Sequence, residues 1–438
     1  MREGSAQALS GAAGHRHRLT VAMADAASKY GYSGATVSRV VEAAGVSRAT
    51  FYEHFTGRDD SFLAAYREKS RQVGAVVEAA TQAAAQEDRP AAVLDILLEE
   101  VATDPAAVRL VLIEALAAPA PIRTEHEQLI ARVEEVVARY LDGQESQCPI
   151  QIPAMALVAG VGEVVAMRAL GGAKEDSATL RSALLRWIDS YRLPPGARPL
   201  PQGGWQELGR FAKSIVPPAR EEPPLLPRGR SALTPVCAAA VRRRRLLDAT
   251  ARLSVSDGYF GLTVARIAAA ARVPRAAFYS HFDCKEDALL AAQTEALQEG
   301  MGAAAAAYSP AAPWPERVWK AGEALLSNVA RNRDYAHLDF VESYAAGPVA
   351  IRRRHQNHMA FAMFIEDGYR HTSAAPLSPV APEAIAGAIF GLMRSLVVAG
   401  RTDRMLSLLP VATYTILTPF IGPKVAADQV KVWAREAY

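Results

Sequence analysis

The chain has 438 residues, of which 50% are hydrophobic, and its formal net charge is +3. This length predicts two or more packed domains, and the small net charge excludes a basic field over the whole surface, so any attraction for nucleic acid must be local. The three cysteines are far apart and form no CxxC pair, which favours a reduced cytoplasmic protein over a disulfide scaffold or a zinc site.

The N-terminal residues 1–15 contain no apolar run of the kind found in secretion signals, and we expect them to form a disordered tail. An amphipathic helix is predicted next, at the start of residues 16–66, with Leu19 on its apolar face. Gly31 and Gly34 end this helix and turn the chain. Helical spacing of apolar residues continues through nearly all of the remaining sequence, which therefore predicts an all-α protein.

The two helices predicted after Gly34 have the layout of a helix-turn-helix. Thr36 is the expected N-cap of VSRVVEAA, Gly45 suits a left-handed turn, and Ser47 is the expected N-cap of RATFYEHF. Phe51 lies on the inward face of the last helix, and the opposite, exposed face carries Arg48, Ala49 and Tyr52. Side chains near the start of such a helix can reach base edges in the major groove, where arginine is the commonest partner of guanine.

This unit occurs twice in the chain. Phe51 aligns with Phe278 at an offset of 227 residues, the difference between 278 and 51, and the alignment runs without a gap from Arg16 to Ala65. About half of the aligned positions are identical, which indicates an internal duplication. The proline- and glycine-rich residues 196–238 are predicted to be the linker between the two units, with a short helix at 205–216.

Both copies resemble the DNA-binding signature of the TetR/AcrR family of bacterial regulators, in the segments TVSRVVEAAGVSRATFYEHFTGRDDSFLAAY and TVARIAAAARVPRAAFYSHFDCKEDALLAAQ. The resemblance implies two TetR-like units fused in tandem. It implies a three-helix DNA-binding domain in each unit, at 16–66 (HTH1) and at 239–293 (HTH2). Each is followed by a helical regulatory and dimerisation domain, at 67–195 and at 294–438.

The resemblance also implies which residues contact DNA, by position. In HTH1 these are Thr36, Ser47, Arg48, Ala49, Thr50, Tyr52, His54 and Arg58. In HTH2 they are Thr263, Arg275, Ala276, Tyr279, His281 and Lys285. HTH2 departs from the pattern at three places, because Ala277, Arg272 and Pro274 replace the threonine, the turn glycine and the N-cap serine of HTH1.

The two copies also differ in charge. Residues 16–55 hold five Lys and Arg against three Asp and Glu, a net charge of +2, whereas residues 243–282 hold seven against two, a net charge of +5. The run RRRR at 242–245 is expected at the start of the first helix of HTH2, where it would contact phosphates. The sequence predicts that HTH2 binds DNA less selectively than HTH1 and with a steeper dependence on salt.

Members of the resembled family act as dimers, and the fusion implies an intramolecular pseudo-dimer that is expected to be monomeric as a chain. The predicted dimerisation helices contain small residues that permit close packing, among them Gly160, Gly162, Gly387 and Gly391, and lie at 152–172, 180–191, 381–400 and 408–422. Charged residues interrupt the most apolar stretches, so buried interface helices are expected there rather than membrane spans.

A ligand cavity is implied in each regulatory domain, and the second domain is the richer one in aromatic residues. The residues predicted to line a site for a small apolar or aromatic effector are Trp319, His337, Phe340, Tyr344, His358, Phe361 and Arg394. The alternative is that these aromatic residues only fill a core. Since no nucleophile motif, phosphate loop or zinc signature occurs, we expect no enzyme activity, no cofactor and no metal.

The sequence therefore predicts a cytoplasmic, sequence-specific regulator of transcription that binds a pseudo-palindromic operator in double-stranded DNA, and a ligand-responsive repressor in particular. The alternative is a ligand-free or architectural DNA-binding protein in which one helix-turn-helix copy or one regulatory domain is only a scaffold.

Overall fold

The computed structural model describes residues 2–85, 88–142, 148–171, 176–197, 199–200, 204–210, 218, 220–221, 223–224, 234–371 and 378–436. Within these ranges the regular structure is helical, and the β-type pairing is limited to one isolated bridge between Ile150 and Arg192. The prediction of an all-α protein is confirmed.

The first half of the chain and the linker contain eleven α-helices in the described residues. They are α1 (Arg2–Gly34), α2 (Val37–Ala44), α3 (Arg48–His54), α4 (Arg58–Ala83), α5 (Arg89–Thr103), α6 (Pro105–Arg109), α7 (Ala115–Ala117), α8 (Ala120–Asp142), α9 (Ala154–Ala169), α10 (Ser177–Asp189) and α11 (Gly204–Leu208). A π turn, Leu110–Glu114, joins α6 to α7.

The second half contains ten α-helices within the described ranges. They are α12 (Pro235–Gly261), α13 (Val264–Ala271), α14 (Arg275–Phe278), α15 (Lys285–Ala307), α16 (Trp314–Arg331), α17 (Arg333–His337), α18 (Pro348–Glu366), α19 (Ala381–Val398), α20 (Leu409–Ile421) and α21 (Pro423–Glu436). A π turn, Leu338–Glu342, follows α17, and short 3-10 segments lie at Ser343–Ala346, Asp367–Arg370 and Thr402–Leu408.

Two boundaries differ from the sequence prediction. Residues 2–15, expected to be a disordered tail, belong to α1, and this stretch contains no proline that would stop the helix. The linker predicted at 196–238 ends earlier, because Thr234 caps α12 by accepting a hydrogen bond from the Cys237 amide at 3.2 Å. The predicted helix at 205–216 is present as α11, and residues 211–217 lie outside the described residues.

The chain divides into two compact units, Met1–Glu135 with Val161–Leu185, and Val136–Gly160 with Arg186–Tyr438. The first unit contains HTH1, and the second contains HTH2 with the whole predicted second regulatory domain, 294–438. Parts of the predicted first regulatory domain, 67–195, therefore group with the second unit.

Close packing explains why residues 136–160 group with the second unit. A methyl group built on Gly160 would lie 2.7 Å from the Ala384 carbonyl oxygen, and one built on Gly391 would overlap the Ala159 side chain. The first half of α9 therefore approaches α19 at a distance that only glycine permits. Beside them, the Tyr191 hydroxyl donates a hydrogen bond of 2.8 Å to the Thr415 carbonyl.

Two helical stretches in the described residues are apolar and long enough to cross a membrane, Ala381–Val398 and Thr402–Ile421. Inside the protein, 67% of the first and 78% of the second are buried, as expected for core helices. The expectation of buried interface helices agrees with this burial.

Candidate nucleic-acid interface

The turn of HTH1 forms as its sequence predicts. Thr36 caps α2 by accepting a hydrogen bond from the Arg39 amide, and Gly45 ends that helix in the left-handed conformation with φ = 62°. Ser47 then caps α3, since its Oγ accepts a hydrogen bond of 3.0 Å from the Thr50 amide. The caps satisfy amide groups that would otherwise have no partner at the helix starts.

The turn of HTH2 has the same conformation, although it lacks the glycine. Arg272 is left-handed, with φ = 54°. The Val273 amide donates to the Ala268 carbonyl at 3.0 Å, as the Val46 amide donates to the Val41 carbonyl at 3.1 Å in HTH1. Because a left-handed residue with a side chain costs about 1–2 kcal/mol, the packing around this turn must offset that strain.

The two recognition helices differ in length. In HTH1, α3 extends to His54, but in HTH2, α14 ends at Phe278, so the equivalent of the last turn of α3 is not α-helical. Pro274 contributes no side-chain hydrogen bond to the start of α14. The recognition helix of HTH2 is therefore the shorter of the two.

A matched arginine explains part of this difference. Arg16 Nη1 donates a hydrogen bond of 2.9 Å to the His54 carbonyl, and its guanidinium lies 4.5 Å from the centre of the Phe55 ring. Its counterpart Arg243 donates instead to Glu295 Oε2 at 3.1 Å. The end of α3 therefore has a side-chain partner that the end of α14 lacks among the described contacts.

The outward faces of the two recognition helices are nevertheless alike. Phe51 and Phe278 are both fully buried, whereas Tyr52 and Tyr279 are 54% and 50% exposed. The residues beside these tyrosines that were predicted to meet base edges are also exposed; they are Arg48, Ala49, Arg275 and Ala276. The side chains predicted to read bases are thus together on one accessible face in each copy.

The basic residues predicted to contact phosphate after each recognition helix are folded back onto a tyrosine. The Arg58 guanidinium lies 4.4 Å from the centre of the Tyr32 ring, and Lys285 Nζ lies 4.3 Å from the centre of the Tyr259 ring. Lys285 Nζ also donates to the Tyr259 carbonyl at 3.1 Å. Such cation–π contacts are worth about 0.5–1 kcal/mol at exposed sites, so both side chains can still be released towards DNA.

The remaining predicted phosphate contacts are accessible to different degrees. Thr36 and Thr263 are exposed N-caps, and Ser47 and Thr50 share a hydrogen bond of 2.9 Å between their hydroxyl oxygens. His54 and His281 are half-buried, and burial together with the nearby Arg243 lowers the pKa of His281. A lowered pKa favours the neutral imidazole, which suits hydrogen bonding to phosphate less well than a cation would.

The run RRRR at 242–245 does not begin a helix; it lies inside α12. Three of its arginines pair within the protein, because Arg243 binds Glu295, Arg244 binds Asp248 and glutamates of α15, and Arg245 donates to backbone carbonyls. The expectation of a phosphate-binding run is corrected: most of the extra positive charge of HTH2 is neutralised or occupied locally.

A buried glutamate connects each helix-turn-helix domain to the helix beneath it. The Tyr32 amide, just after the kink at Gly31, donates to Glu114 Oε2 at 2.8 Å, and the Tyr259 amide donates to Glu342 Oε2 at 2.7 Å. Burial raises the pKa of Glu114 to about 7, against the opposing effects of the Tyr32 amide and of Arg109. These glutamates were missed at the level of sequence, where the matching segments LIEAL and FVESY were the available signal.

Each linkage continues through the tyrosine side chain. The Tyr32 hydroxyl donates to Asp59 Oδ1 at 2.6 Å, at the start of α4, and the Tyr259 hydroxyl donates to Glu286 Oε1 at 2.7 Å, at the start of α15. A movement of either π turn can therefore reach both the first helix of the domain and the helix that leaves it.

The predicted effector residues occupy several places in the second unit. Phe340 and Phe361 both pack against Phe390, with ring centres 5.9 and 6.1 Å apart. Trp319 packs against Trp433, and Tyr344 lies under the Arg354 guanidinium.

Two polar residues of the predicted effector site lie close to other features. His337 Nε2 is 3.7 Å from Glu342 Oε1, and it therefore faces the glutamate that holds HTH2. Arg394 is half-buried on α19, while the side chain of His358 lies outside the described residues. The structure brings Phe340 and Phe361 together and places His337 beside the π turn.

A pocket of about 290 Å³ lies in the first unit, between α4 and α8. The residues that line it are Tyr66, Arg67, Ser70, Arg71, Glu125, Leu129 and Arg132. In the part of the chain that the structure describes, no group of three or more His, Cys, Asp and Glu is placed to hold a metal ion. The three cysteines are free thiols.

A model of the family described as bacterial regulatory proteins, tetR family, matches the chain twice, at residues 20–65 and 246–292. The matched segments coincide with the two domains whose exposed recognition helices are described above. No curated protein sequence matches this chain.

Several solved structures are similar to it. The fatty acid degradation regulator FadR from Bacillus halodurans is 17% identical, with 40% of this chain and 94% of that chain covered and a TM-score of 0.37. FadR from Bacillus subtilis, in complex with stearoyl-CoA, is 16% identical, with 39% and 96% covered and a TM-score of 0.34. A bacterial regulatory protein of the tetR family from Rhodococcus RHA1 is 22% identical, with 45% and 96% covered and a TM-score of 0.32.

Proposed function

We propose that this chain, which belongs to the tetR family of bacterial regulatory proteins and carries two TetR-like units in tandem, reads one pseudo-palindromic operator with both of its helix-turn-helix motifs. The family makes it a DNA-binding transcriptional regulator. The observation that carries the finer proposal is the repeated exposed face, Arg48, Ala49 and Tyr52 in HTH1 and Arg275, Ala276 and Tyr279 in HTH2. Two such faces in one chain provide two DNA-recognition helices without the association of separate chains.

An intramolecular pseudo-dimer is part of the proposal. The close approach of α9 to α19 at Gly160 and Gly391, and the hydrogen bond from Tyr191 to Thr415, support it. In this arrangement, helices that separate chains would use for dimerisation pack within a single chain. The two recognition helices then act at a fixed stoichiometry, and their half-sites are free to differ in sequence.

We further propose that the protein is a cytoplasmic, ligand-responsive repressor without catalytic activity. The aromatic cluster of Phe340, Phe361 and Phe390 supports a site for a small apolar or aromatic effector in the second unit. His337, beside Glu342, offers a route from that unit to the Tyr259 amide and so to the first helix of HTH2. An effector that changes the position of this π turn would change the affinity for DNA by favouring one arrangement of HTH2.

The proposal is tested by selecting DNA sites from random duplexes with the full chain at moderate salt. The wild type is compared with Arg48→Ala/Tyr52→Ala and with Arg275→Ala/Tyr279→Ala, and Val349→Ala on an exposed position of α18 is a control that touches neither recognition helix. We expect a site with two related but unequal halves. Each double variant should lose one half, at about 1–3 kcal/mol per guanine-reading arginine.

Three other outcomes would contradict parts of the proposal. The absence of any enriched site would contradict sequence-specific DNA binding. A single half-site sensitive only to the HTH1 variant would favour the scaffold alternative, which the short, uncapped α14 makes the specific competitor. An operator complex that no apolar or aromatic compound dissociates, across a library of such compounds, would argue against ligand-responsive repression.

A further inference from the structure

A linker arginine, Arg220, is inserted into the second unit with only 15% of its side chain exposed. Its Nη1 and Nη2 atoms donate to the two oxygens of Glu299 at 2.9 and 2.8 Å. Nη1 also donates to Asn332 Oδ1 at 3.2 Å, and the guanidinium carbon lies 4.5 Å from the centre of the Tyr335 ring. A guanidinium bound edge-on to a carboxylate and stacked on an aromatic ring is held in one orientation.

The partners of Arg220 come from three parts of the second unit. Glu299 belongs to α15, the helix that leaves HTH2, and Tyr335 belongs to α17 in the regulatory domain. Asp248 belongs to α12, the first helix of HTH2; its Oδ1 accepts a hydrogen bond of 2.5 Å from the Tyr335 hydroxyl and lies 3.9 Å from Arg220 Nε. Arg220 therefore lies where HTH2 meets the domain below it.

A second arginine completes this arrangement. Arg244 Nε donates to Asp248 Oδ1 at 3.3 Å, and its Nη1 lies 3.1 Å from an oxygen of Glu295 and 3.1 Å from an oxygen of Glu299. Two arginines and three carboxylates thus alternate around Tyr335. We call this group the Arg220 cluster; its members are Arg220, Arg244, Asp248, Glu295, Glu299 and Tyr335.

The linker makes a separate contact with the turn of HTH2. Arg245 Nη1 donates to the Pro223 carbonyl at 2.8 Å, and Arg245 Nε donates to the Ala271 carbonyl at 2.7 Å. Ala271 is the last residue of α13 and immediately precedes the left-handed Arg272. One arginine therefore connects the linker to the segment that sets the direction of α14.

Among the described residues, HTH1 reproduces one pair of the Arg220 cluster: His17 Nδ1 lies 3.4 Å from Glu68 Oε1, at the positions of Arg244 and Glu295. At the offset of 227 residues, Val21 stands where Asp248 does, His17 where Arg244 does, and Gln72 where Glu299 does. Val21 is 38% exposed, so the corresponding surface of α1 carries no acidic site. The cluster and its linker arginine belong to the second half of the chain only.

We propose that Arg220 is a positioning residue for DNA recognition by HTH2: the linker arginine fixes α12 against α15 and thereby holds the short α14 in the orientation that meets DNA. This inference rests on the proposed function as far as DNA is concerned. Its physical basis is that α14 has few constraints of its own, with four residues and no N-cap hydrogen bond. Without Arg220, Glu299 and Asp248 would share only Arg244, while Arg243 pairs with Glu295 alone, and the repulsion between these carboxylates would loosen the contact between the two helices.

The first arm of the test needs no DNA. Amide hydrogen exchange is measured on the full chain for the wild type, for Arg220→Ala and for Arg210→Ala, a linker variant that removes only an exposed pair with Glu207 at 3.7 Å. We expect exchange in residues 243–282 to become about tenfold faster in Arg220→Ala, with residues 16–55 unchanged. An unchanged exchange rate in 243–282, or an equal increase in both segments, would overturn the proposal.

The second arm uses the selected operator. Arg220→Ala should weaken binding about tenfold on the half-site read by Arg275 and Tyr279 and leave the other half-site unchanged, while Arg220→Lys should recover part of the loss because it restores the charge without the two-oxygen contact. Equal weakening on both half-sites would overturn the positioning role. A wild type that binds no DNA would overturn the proposed function, and the exchange arm would still decide the role of Arg220.

A double-mutant cycle separates the proposed contact from a general loss of stability. Glu299→Gln and Arg220→Ala remove the two sides of the same interaction, so the double variant should exchange no faster than Arg220→Ala alone. Fully additive effects in the cycle would show that the two residues do not act together, which would contradict the cluster.

Discussion

HTH1 and HTH2 have the same fold, but their turns and recognition helices are stabilised by different interactions. HTH1 has two local features, glycine at the turn and a serine cap on α3, and one longer-range contact, the hydrogen bond from Arg16 to the last turn of α3. HTH2 lacks the glycine and the cap, yet Arg272 adopts the same left-handed conformation as Gly45. The comparison teaches that the buried phenylalanine of the recognition helix and the surrounding helices fix this motif, whereas the turn and cap residues adjust its stability and the length of its recognition helix.

Removing the buried phenylalanine from either recognition helix should have the largest effect on this comparison. Phe51→Ala and Phe278→Ala should each destabilise their own domain by about 3–5 kcal/mol, because both rings are fully buried. Circular dichroism during thermal unfolding, together with binding to each half-site, measures the loss. Tyr52→Ala and Tyr279→Ala are matched controls that should affect DNA binding and leave stability nearly unchanged. Loss of both half-sites from a single phenylalanine variant would contradict independent domains.

The pH dependence of stability should contain a contribution from Glu114, which holds HTH1. The pKa of Glu114 rises from 4.5 to about 7 on folding, so its stabilising contribution is complete below pH 4.5 and is lost as the pH rises through 7. The shift corresponds to about 3 kcal/mol, as an order of magnitude.

The matched variants for this test are Glu114→Gln and Glu99→Gln, the latter at an exposed position on α5. Denaturant unfolding between pH 4.5 and 8 should show a flatter pH dependence for Glu114→Gln, since glutamine keeps an acceptor for the Tyr32 amide but does not titrate. Equal pH profiles for the two variants would exclude Glu114 as the titrating group.

Exchanging the turn residues should have a smaller effect, with opposite signs in the two copies. Gly45→Arg should cost HTH1 about 1–2 kcal/mol of backbone strain, since no atom lies within 4 Å of an added methyl group there and crowding adds nothing. Arg272→Gly should stabilise HTH2 by up to about 1 kcal/mol. Denaturant midpoints for the two domains measure both. A loss of stability in Arg272→Gly would mean that the arginine side chain contributes more than its backbone strain costs.

Exchange of the cap residues should have the smallest effect. Ser47→Ala should destabilise α3 by about 1 kcal/mol, because the Thr50 amide loses its acceptor. Pro274→Ser should stabilise α14 by a similar or smaller amount. Amide hydrogen exchange at residues 48–50 and 275–277 measures both changes in stability. If Pro274→Ser left exchange at 275–277 unchanged, the missing cap would not be a cause of the short α14.

Structural features that depend on neighbouring residues could be predicted from the sequence. The helical class and the caps at Thr36 and Ser47 depend on residues within about one turn of each other, and the structure contains them. The role of Glu114 was not readable, because one acidic residue in an apolar helix identifies no partner 82 residues away. The prediction that the run at 242–245 contacts phosphate was wrong for a similar reason. The sequence does not distinguish arginines that pair with distant carboxylates from arginines that are free to bind phosphate.

The membership of each predicted domain was the least readable feature. The helical periodicity of residues 136–160 and 186–195 does not indicate which unit they pack in. Only packing at positions such as Gly160 assigns them to the second unit. The residues predicted to meet base edges, by contrast, form one exposed face in each copy, as their helical spacing predicted.

The two π turns, Leu110–Glu114 and Leu338–Glu342, also indicate the order of events in the evolution of the chain. A π turn contains one residue more than the α-helical turn it interrupts, and such insertions are retained mainly where they serve a function. Both halves have it at corresponding places, and both end it with the glutamate that holds a tyrosine amide. The most economical history is a single insertion in an ancestor of half the present length, before its gene was duplicated. The Arg220 cluster, present in one half, then dates from the time after duplication, when the two halves began to diverge.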